Sequence, residues 1–289
     1  MKENRNLITA NISLVDSFDI IQPENILSAG EWGVIMERNK IDKINLCVGE
    51  PLKYKDIDEF LKIASKDRIL HVETNGYDIY KHVDALREYP TQIAVHLYGY
   101  GETHNKLSGV ENSFEQMVYG LDLVGRKDPT SIRVHYHVAP ENVDDIVKTY
   151  DFFRDKYRAS FIFIYKRFEK GAVDVEKLYS CVEYVKPPVS FPNLKTVDEL
   201  SEFYNGDTDL NVFGDCKKRC LIAQYIMNKK YFFMLADGSY SVSPNCHSNI
   251  VSDYPLCENR AFIRLDAVLK SGLQVECKNR CCFYKKKIY

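Results

Sequence analysis

The chain contains no run of about 18 uninterrupted apolar residues, so no stretch of it reads as a membrane-spanning helix. Its opening, MKENRNLITANISLVD, lacks the apolar stretch of a secretory signal. A soluble, cytoplasmic protein with no membrane partner is the resulting expectation. Charge of one sign is also missing: 39 Lys and Arg against 41 Asp and Glu, mixed along the chain, leave a formal net charge of -2. Without a basic stripe to neutralise a phosphate backbone, nucleic acid is not an expected partner. No internal repeat or low-complexity tract occurs. The last scarcity is positional: no cysteine precedes Cys47.

Apolar material is plentiful. With 289 residues and 45% hydrophobic composition, the chain fits one large domain and a small appendage. From residue 11 to about residue 166, short β-rich runs alternate with helical stretches, the pattern of repeated βα units and a parallel sheet. The predicted strands are NISLVDS from Asn11, KINLCV from Lys43, RILHVET from Arg68, IAVHLYG from Ile93, RVHYHVA from Arg133 and SFIFIYK from Ser160. Predicted helices run from Pro23 to Asn39, Ile57 to Ser65, Ile79 to Glu88, Ser113 to Val124 and Asn142 to Tyr157. Ser113, with Gln116 three residues on, reads as an N-cap. In parallel α/β proteins the loops after the strands carry the ligand, so residues there come first for scrutiny. From about Ala172 the pattern loosens, and Pro187, Pro188 and Pro192 mark a connecting stretch. Further on, YFFMLADGSYSVSPNC reads as a hairpin around Asp237 and Gly238, and RAFIRLDAVLKSGL as a helix.

Of the nine cysteines, Cys47 and Cys181 stand alone, while Cys216, Cys220, Cys246, Cys257, Cys277, Cys281 and Cys282 crowd the C-terminal part. Such clustering without a secretory signal points to metal before disulfides. Cys216 with Cys220 and Cys277 with Cys281 form two pairs of one spacing, with Cys246 between them, and four thiolates hold either an iron-sulfur cluster or tetrahedral zinc. Cys257 and Cys282 are the spare thiols.

Four strand-end motifs, in order, resemble the radical S-adenosylmethionine superfamily, particularly members with a SPASM or twitch auxiliary domain. They are CVGEPL with Gly49, Glu50 and Pro51; ETNG with Thr74, Asn75 and Gly76; the run from His96 to Val124; and RVHYHVAPEN with Asn142. The resemblance implies a partial (β/α)6 TIM-like barrel over 1–171, a connecting segment over 172–205 and a cysteine-rich, metal-binding module over 206–289. It implies a cofactor pocket of S-adenosylmethionine type, in vestigial form, from Gly49, Glu50, Pro51, Asn75 and Asn142. It also tips the C-terminal metal toward an iron-sulfur cluster held by Cys216, Cys220, Cys246, Cys277 and Cys281.

The family carries three cysteines in the loop after its first strand, holding a cluster whose open iron cleaves S-adenosylmethionine. Here that loop has no cysteine, and the helix expected from Pro23 leaves it little length. Val48 replaces the family's leading glycine, and its β-branched side chain blocks close approach to the backbone. The expectation is a degenerate member serving as a substrate-binding or partner subunit, beside a complete radical enzyme or a precursor peptide. Two other readings stand beside it. One is an enzyme using the pocket for non-radical or electron-transfer chemistry, with Glu50, His135 and His137 as catalytic candidates. The other is an interaction protein stabilised by zinc. Glu50 also reads as a simple helix cap, His96 as a packed core residue, and Glu102 with His104 as loop polarity.

Overall fold

A computed structural model describes residues 9–15, 26–47, 49–126, 131–166, 168–169, 171–191, 194, 196–205, 231–234, 236 and 240–241. Parallel strands alternate with helices, as the α/β pattern of the sequence implied. Two compact units divide these residues: those within 1–73, 88–91 and 220–289, and those within 74–87 and 92–219.

The first unit contains β1 (Thr9–Ile12), α1 (Ala29–Arg38), β2 (Lys43–Leu46), α2 (Ile57–Ala64), most of β3 (Ile69–Thr74), β8 (Tyr231–Met234) and β9 (Tyr240–Ser241). β1 pairs in parallel with β2, which pairs in parallel with β3. Strands this short make few ladder bonds, so the apolar layer beneath them carries the stability. Ile12, Ile44, Leu46, Val72, Trp32 and Phe60 are wholly buried, each worth about 1.5–3 kcal/mol relative to exposure. Trp32 meets Phe60 edge-on with ring centres 6.4 Å apart. The start of α1 is fixed by a capping box: the Glu31 amide donates to Ser28 Oγ, and Ser28 N donates back to the Glu31 carboxylate at 2.8 Å.

That cap corrects one expectation. α1 begins at Ala29 and not at Pro23, since the described residues 26–28 before it are not helical. The sequence between β1 and α1 contains no cysteine. The expected hairpin is present, with Phe233 opposite Ser241 and Met234 opposite Tyr240. Its first strand also adds to the sheet, since β8 pairs in parallel with β1 from Thr9–Tyr231 to Ile12–Met234.

The second unit contains α3 (Val83–Glu88) up to Arg87, β4 (Gln92–Leu97), α4 (Glu102–Ser108), α5 (Ser113–Val124), β5 (Ile132–Val138), α6 (Ile146–Tyr157), β6 (Ser160–Tyr165), α7 (Val175–Val185), β7 (Val189–Phe191) and α8 (Val197–Asn205). β4, β5, β6 and β7 pair in parallel in that order. Alternation sorts their side chains. Val95, Leu97, Val134, Tyr136, Val138 and Phe163 are wholly buried, and Phe161 of the same row meets Tyr150 of α6 at 5.2 Å. His96, Arg133, His135, His137 and Ile164 lie on the opposite face.

Three expectations change in this unit. The stretch 172–205 carries two helices and a seventh strand, because V-S-F pairs with β6 despite its proline flanks. Glu102 and His104 sit on a helix, and His104 is fully buried. Ser113 is the first residue of α5 and not its cap. Asn105 of α4 caps that helix instead, its Oδ1 accepting from Phe114 N at 2.8 Å and from Ser113 Oγ at 3.0 Å.

Candidate functional site

In the second unit, strand register gathers three histidines. His135 and His137 share a face because they are two apart on β5, and His96 of β4 is the register partner of His135. His96 Nδ1 lies 2.7 Å from His137 Nε2, a separation at which one proton is shared between the rings. The His96 ring is 5.3 Å from that of His135 and 5.0 Å from that of His137. Tyr98 stacks on His137 at 4.8 Å, and the Lys166 ammonium sits 5.9 Å from the centre of the Tyr98 ring.

Burial disfavours the charged forms of His96 and His137. It lowers His96 to about 4, with the Lys166 charge adding to the effect, and it holds His137 well below the ordinary histidine range, with His96 and Lys166 contributing. The Lys166 side chain is exposed as a whole, but its ammonium end lies against this cluster, and desolvation lowers it. Beside them, His104 is lowered to about 4 by burial, against an opposing pull from Glu115. Its Nδ1 accepts from Tyr98 N at 3.2 Å, so its proton resides on Nε2.

Asn142 holds the cluster's backbone. Its Oδ1 accepts from Ala139 N at 2.9 Å, and its Nδ2 donates to Tyr98 O at 2.9 Å and His137 O at 2.8 Å. The Tyr136 hydroxyl donates to the Asn142 carbonyl at 2.7 Å. Both amide hydrogens are therefore spent on the ends of β4 and β5, and Asn142 acts on any bound molecule by positioning. Thr74 and Asn75 shape the turn after β3: Thr74 Oγ1 accepts from Gly76 N and Asn75 Oδ1 from Tyr77 N, each at 3.0 Å. Gly76 at φ +88° has no alternative there, since a Cβ would lie 2.5 Å from Met117 Cγ.

The first unit has its own polar row. Asn11, Asn45 and His71 are register partners across β1, β2 and β3. Asn11 Oδ1 accepts from Asn45 Nδ2 at 2.9 Å and from the Cys47 thiol at 3.6 Å. Burial, with the Glu73 charge, pushes the Cys47 thiol up, so it stays protonated. Gly49 has φ +70°, and Pro51 opens a short 3-10 turn, Pro51–Lys53, that Glu50 caps by accepting from Leu52 N at 3.1 Å. Glu50 thus belongs to a different unit from His135 and His137, and its carboxylate does the work of a helix cap. Val48 lies outside the described residues, as do Cys216, Cys220, Cys246, Cys257, Cys277, Cys281 and Cys282.

Sequence reasoning singled out His135 and His137 but took His96 as core. The signal was the H-x-H spacing, and the missing piece was the register that sets His96 beside it.

A parallel βα fold with polar side chains on one strand face and at the strand ends defines an α/β protein of the partial-barrel class. Residues 17–153 match the model of the Radical SAM superfamily, which this part of the chain resembles. Among solved structures, the chain resembles Streptococcus suis SuiB bound to S-adenosylmethionine, with TM-score 0.58 and 16% identity over 83% of this chain and 58% of that one. The same SuiB bound to precursor peptide SuiA gives 0.55 and 16%, over 82% of this chain and 59% of that one. Native anSMEcpe with bound AdoMet and Cp18Cys peptide gives 0.50 and 15%, over 82% and 73%. At these identities the likeness shows the fold, and this chain spans under two thirds of SuiB's length. No curated protein matches the chain.

Proposed function

We propose that this chain is a degenerate radical SAM protein that binds a peptide or small metabolite, or the complete radical enzyme acting on one, and does not itself cleave S-adenosylmethionine. One observation carries the reading: residues 13–46, from the end of β1 to the end of β2, contain no cysteine. Three thiolates are needed to leave a cluster iron open. Cys47 is a single thiol, kept protonated and given to Asn11, so the donor set here does not fit that cluster. Without that iron, and with the Asn142 amide engaged by backbone, S-adenosylmethionine loses its main anchors. Gly49, Glu50 and Pro51 of the first unit and Asn75 of the second are the residues we assign as remnants of its binding groups.

The peptide part of the reading rests on the two solved neighbours that carry peptides, SuiB with SuiA and anSMEcpe with Cp18Cys. The C-terminal cysteines are assigned to an auxiliary iron-sulfur cluster of SPASM or twitch type, with structural zinc as the alternative, in a cytoplasmic pseudoenzyme. Reduced anaerobically with dithionite and S-adenosylmethionine, the full chain is expected to form no 5'-deoxyadenosine above a control without protein, while binding a precursor peptide or radical enzyme encoded beside it. Turnover by the isolated chain, or absence of binding to either partner, refutes the proposal. Iron and sulfide in stoichiometric amounts support the auxiliary cluster; zinc alone supports the structural alternative.

A further inference from the structure

We infer that the surface cavity between the turn after β3 and α5 binds a proline-containing peptide in extended, polyproline II form. This goes beyond the function proposed above, for it concerns a solvent-exposed face of the second unit and needs neither the strand-end residues nor the C-terminal cysteines. The cavity measures about 410 Å³, within the range of ligand sites, and Tyr77, Asp78, Tyr80, Lys81, Gln116 and Tyr119 line it. All six belong to the second unit.

The platform is held in place before any ligand arrives. Thr74 and Asn75 fix the turn after β3 through their bonds to Gly76 N and Tyr77 N, and a short 3-10 turn, Ile79–Lys81, follows. Gly120 lets that segment lie directly on α5, since a Cβ there would stand 2.7 Å from Ile79 Cβ and 3.1 Å from Tyr80 N. Glycine weakens a helix interior, so the close approach is what this position gains. Tyr80 of the turn and Tyr119 of the helix are thereby held on one cavity, with 44% and 58% of their surfaces open to solvent.

Charge does not supply the anchor. Lys81 Nζ lies 2.6 Å from Asp78 Oδ1 and 5.6 Å from the centre of the Tyr80 ring, so the two opposite charges are spent on each other. The Tyr77 and Tyr119 hydroxyls and the Gln116 side-chain amide have no hydrogen-bond partner among the described residues. What the cavity offers is ring face, hydroxyl and amide. Its half-open tyrosines argue against a small molecule, whose site encloses most of the ligand's surface, and favour a chain that runs on beyond the cavity. Polyproline II residues have no internal hydrogen bonds and so expose every carbonyl, and their preformed conformation docks on aromatic-lined grooves at low entropic cost. The tyrosine hydroxyls and the Gln116 amide are the donors those carbonyls need.

The probe is an end-blocked peptide of three Ala-Pro-Pro repeats, compared with its counterpart carrying glycine in place of every proline. Its binding to the isotope-labelled full chain is followed through the backbone amide signals by NMR. The expected result is a saturable set of shifts concentrated in residues 77–81 and 116–119, given by the proline peptide alone. Tyr80→Ala and Tyr119→Ala should each weaken binding at least about fivefold, the loss that separates an energetic contact from a neutral one. Both side chains are exposed, so these variants keep the fold, which circular dichroism checks. Lys81→Met should change the affinity less than about twofold, and raising the salt from about 50 to about 500 mM should leave binding in place, because no open charge carries it. Absence of shifts, shifts confined to other residues, or equal binding of the glycine peptide overturns the inference. So does a loss in Lys81→Met as large as the tyrosine losses, which would assign the cavity to an acidic partner. Because the probe is neither a precursor peptide nor a radical enzyme, failure here leaves the function proposed above standing.

Discussion

Replacing Asn142 by alanine removes three hydrogen bonds at once and tests the positioning role directly. The carbonyls of Tyr98 and His137 lose a donor, and the Ala139 amide loses its acceptor. Asn142 is wholly buried, so water reaches these groups only if the site opens. Each buried group left unsatisfied costs roughly 1–3 kcal/mol, and a carbonyl keeps a second lone pair for other donors, so the expected loss is about 3–6 kcal/mol. Against a total stability of about 5–15 kcal/mol, that is a severe change. Urea unfolding followed by circular dichroism should show a lower midpoint with an unchanged slope. Asn142→Asp sharpens the argument. Its carboxylate keeps the Ala139 bond but faces two carbonyls in a buried site, which raises its folded pKa above the unfolded value. The penalty is then small where the carboxyl is protonated in both states and grows as pH rises through the folded pKa. A loss under about 1 kcal/mol for Asn142→Ala, within the range of ordinary substitutions, would show that the three bonds do not hold the cluster.

Other consequences are equally open to measurement. His96 and His104 are lowered to about 4 in the folded chain from 6.5 when unfolded, so the unfolded state binds more protons between those values. Stability should fall as pH drops from 6.5 toward 4, and His104→Gln, which keeps an acceptor for Tyr98 N, should flatten that slope; a slope unaltered by the substitution contradicts the assignment. Gly76→Ala should cost about 1–3 kcal/mol from overpacking, with the positive φ adding to it. In combination with Met117→Ala the 2.5 Å contact with Cγ is removed while the 2.9 Å contact with Cβ and the backbone term remain, so the cost should shrink, and a strictly additive double variant speaks against the Cγ contact. Ser28→Ala should destabilise by about 1 kcal/mol through loss of the α1 capping box, read as a lower melting temperature.

The strands of the barrel were legible because each carries a dense β-branched or aromatic run bounded by turn residues, and α5 ran as expected from Ser113 to Val124. Other elements hid for physical reasons. α4 is seven residues of mostly polar side chains with one buried histidine, too short for periodicity to register, and its role is to deliver Asn105 to the start of α5. For α1, the capping box at Ser28 and Glu31 was written in the sequence, but Pro23 offered a competing start signal. β7 is three residues between prolines and exists because β6 offers it a partner. The H-x-H pair was visible in the chain, whereas His96 joined it only through register, which depends on pairing between strands. Glu50 had two readings of equal merit, and a cap on the following turn is one contact its carboxylate makes.

The parallel pairing of β8 with β1 bears on how the chain is born. β1 leaves the ribosome long before the strand that covers its outer edge, which ends at Met234. At roughly 5–20 residues per second, synthesis separates the two by about 10–45 seconds. For that interval β1 presents an unpaired row of amides and carbonyls, the template on which foreign strands add. Closing this edge joins residues far apart in sequence, a contact that forms slowly and late. Until it forms, the nascent first unit depends on chaperones or on its own short exposed length to avoid strand addition by neighbours.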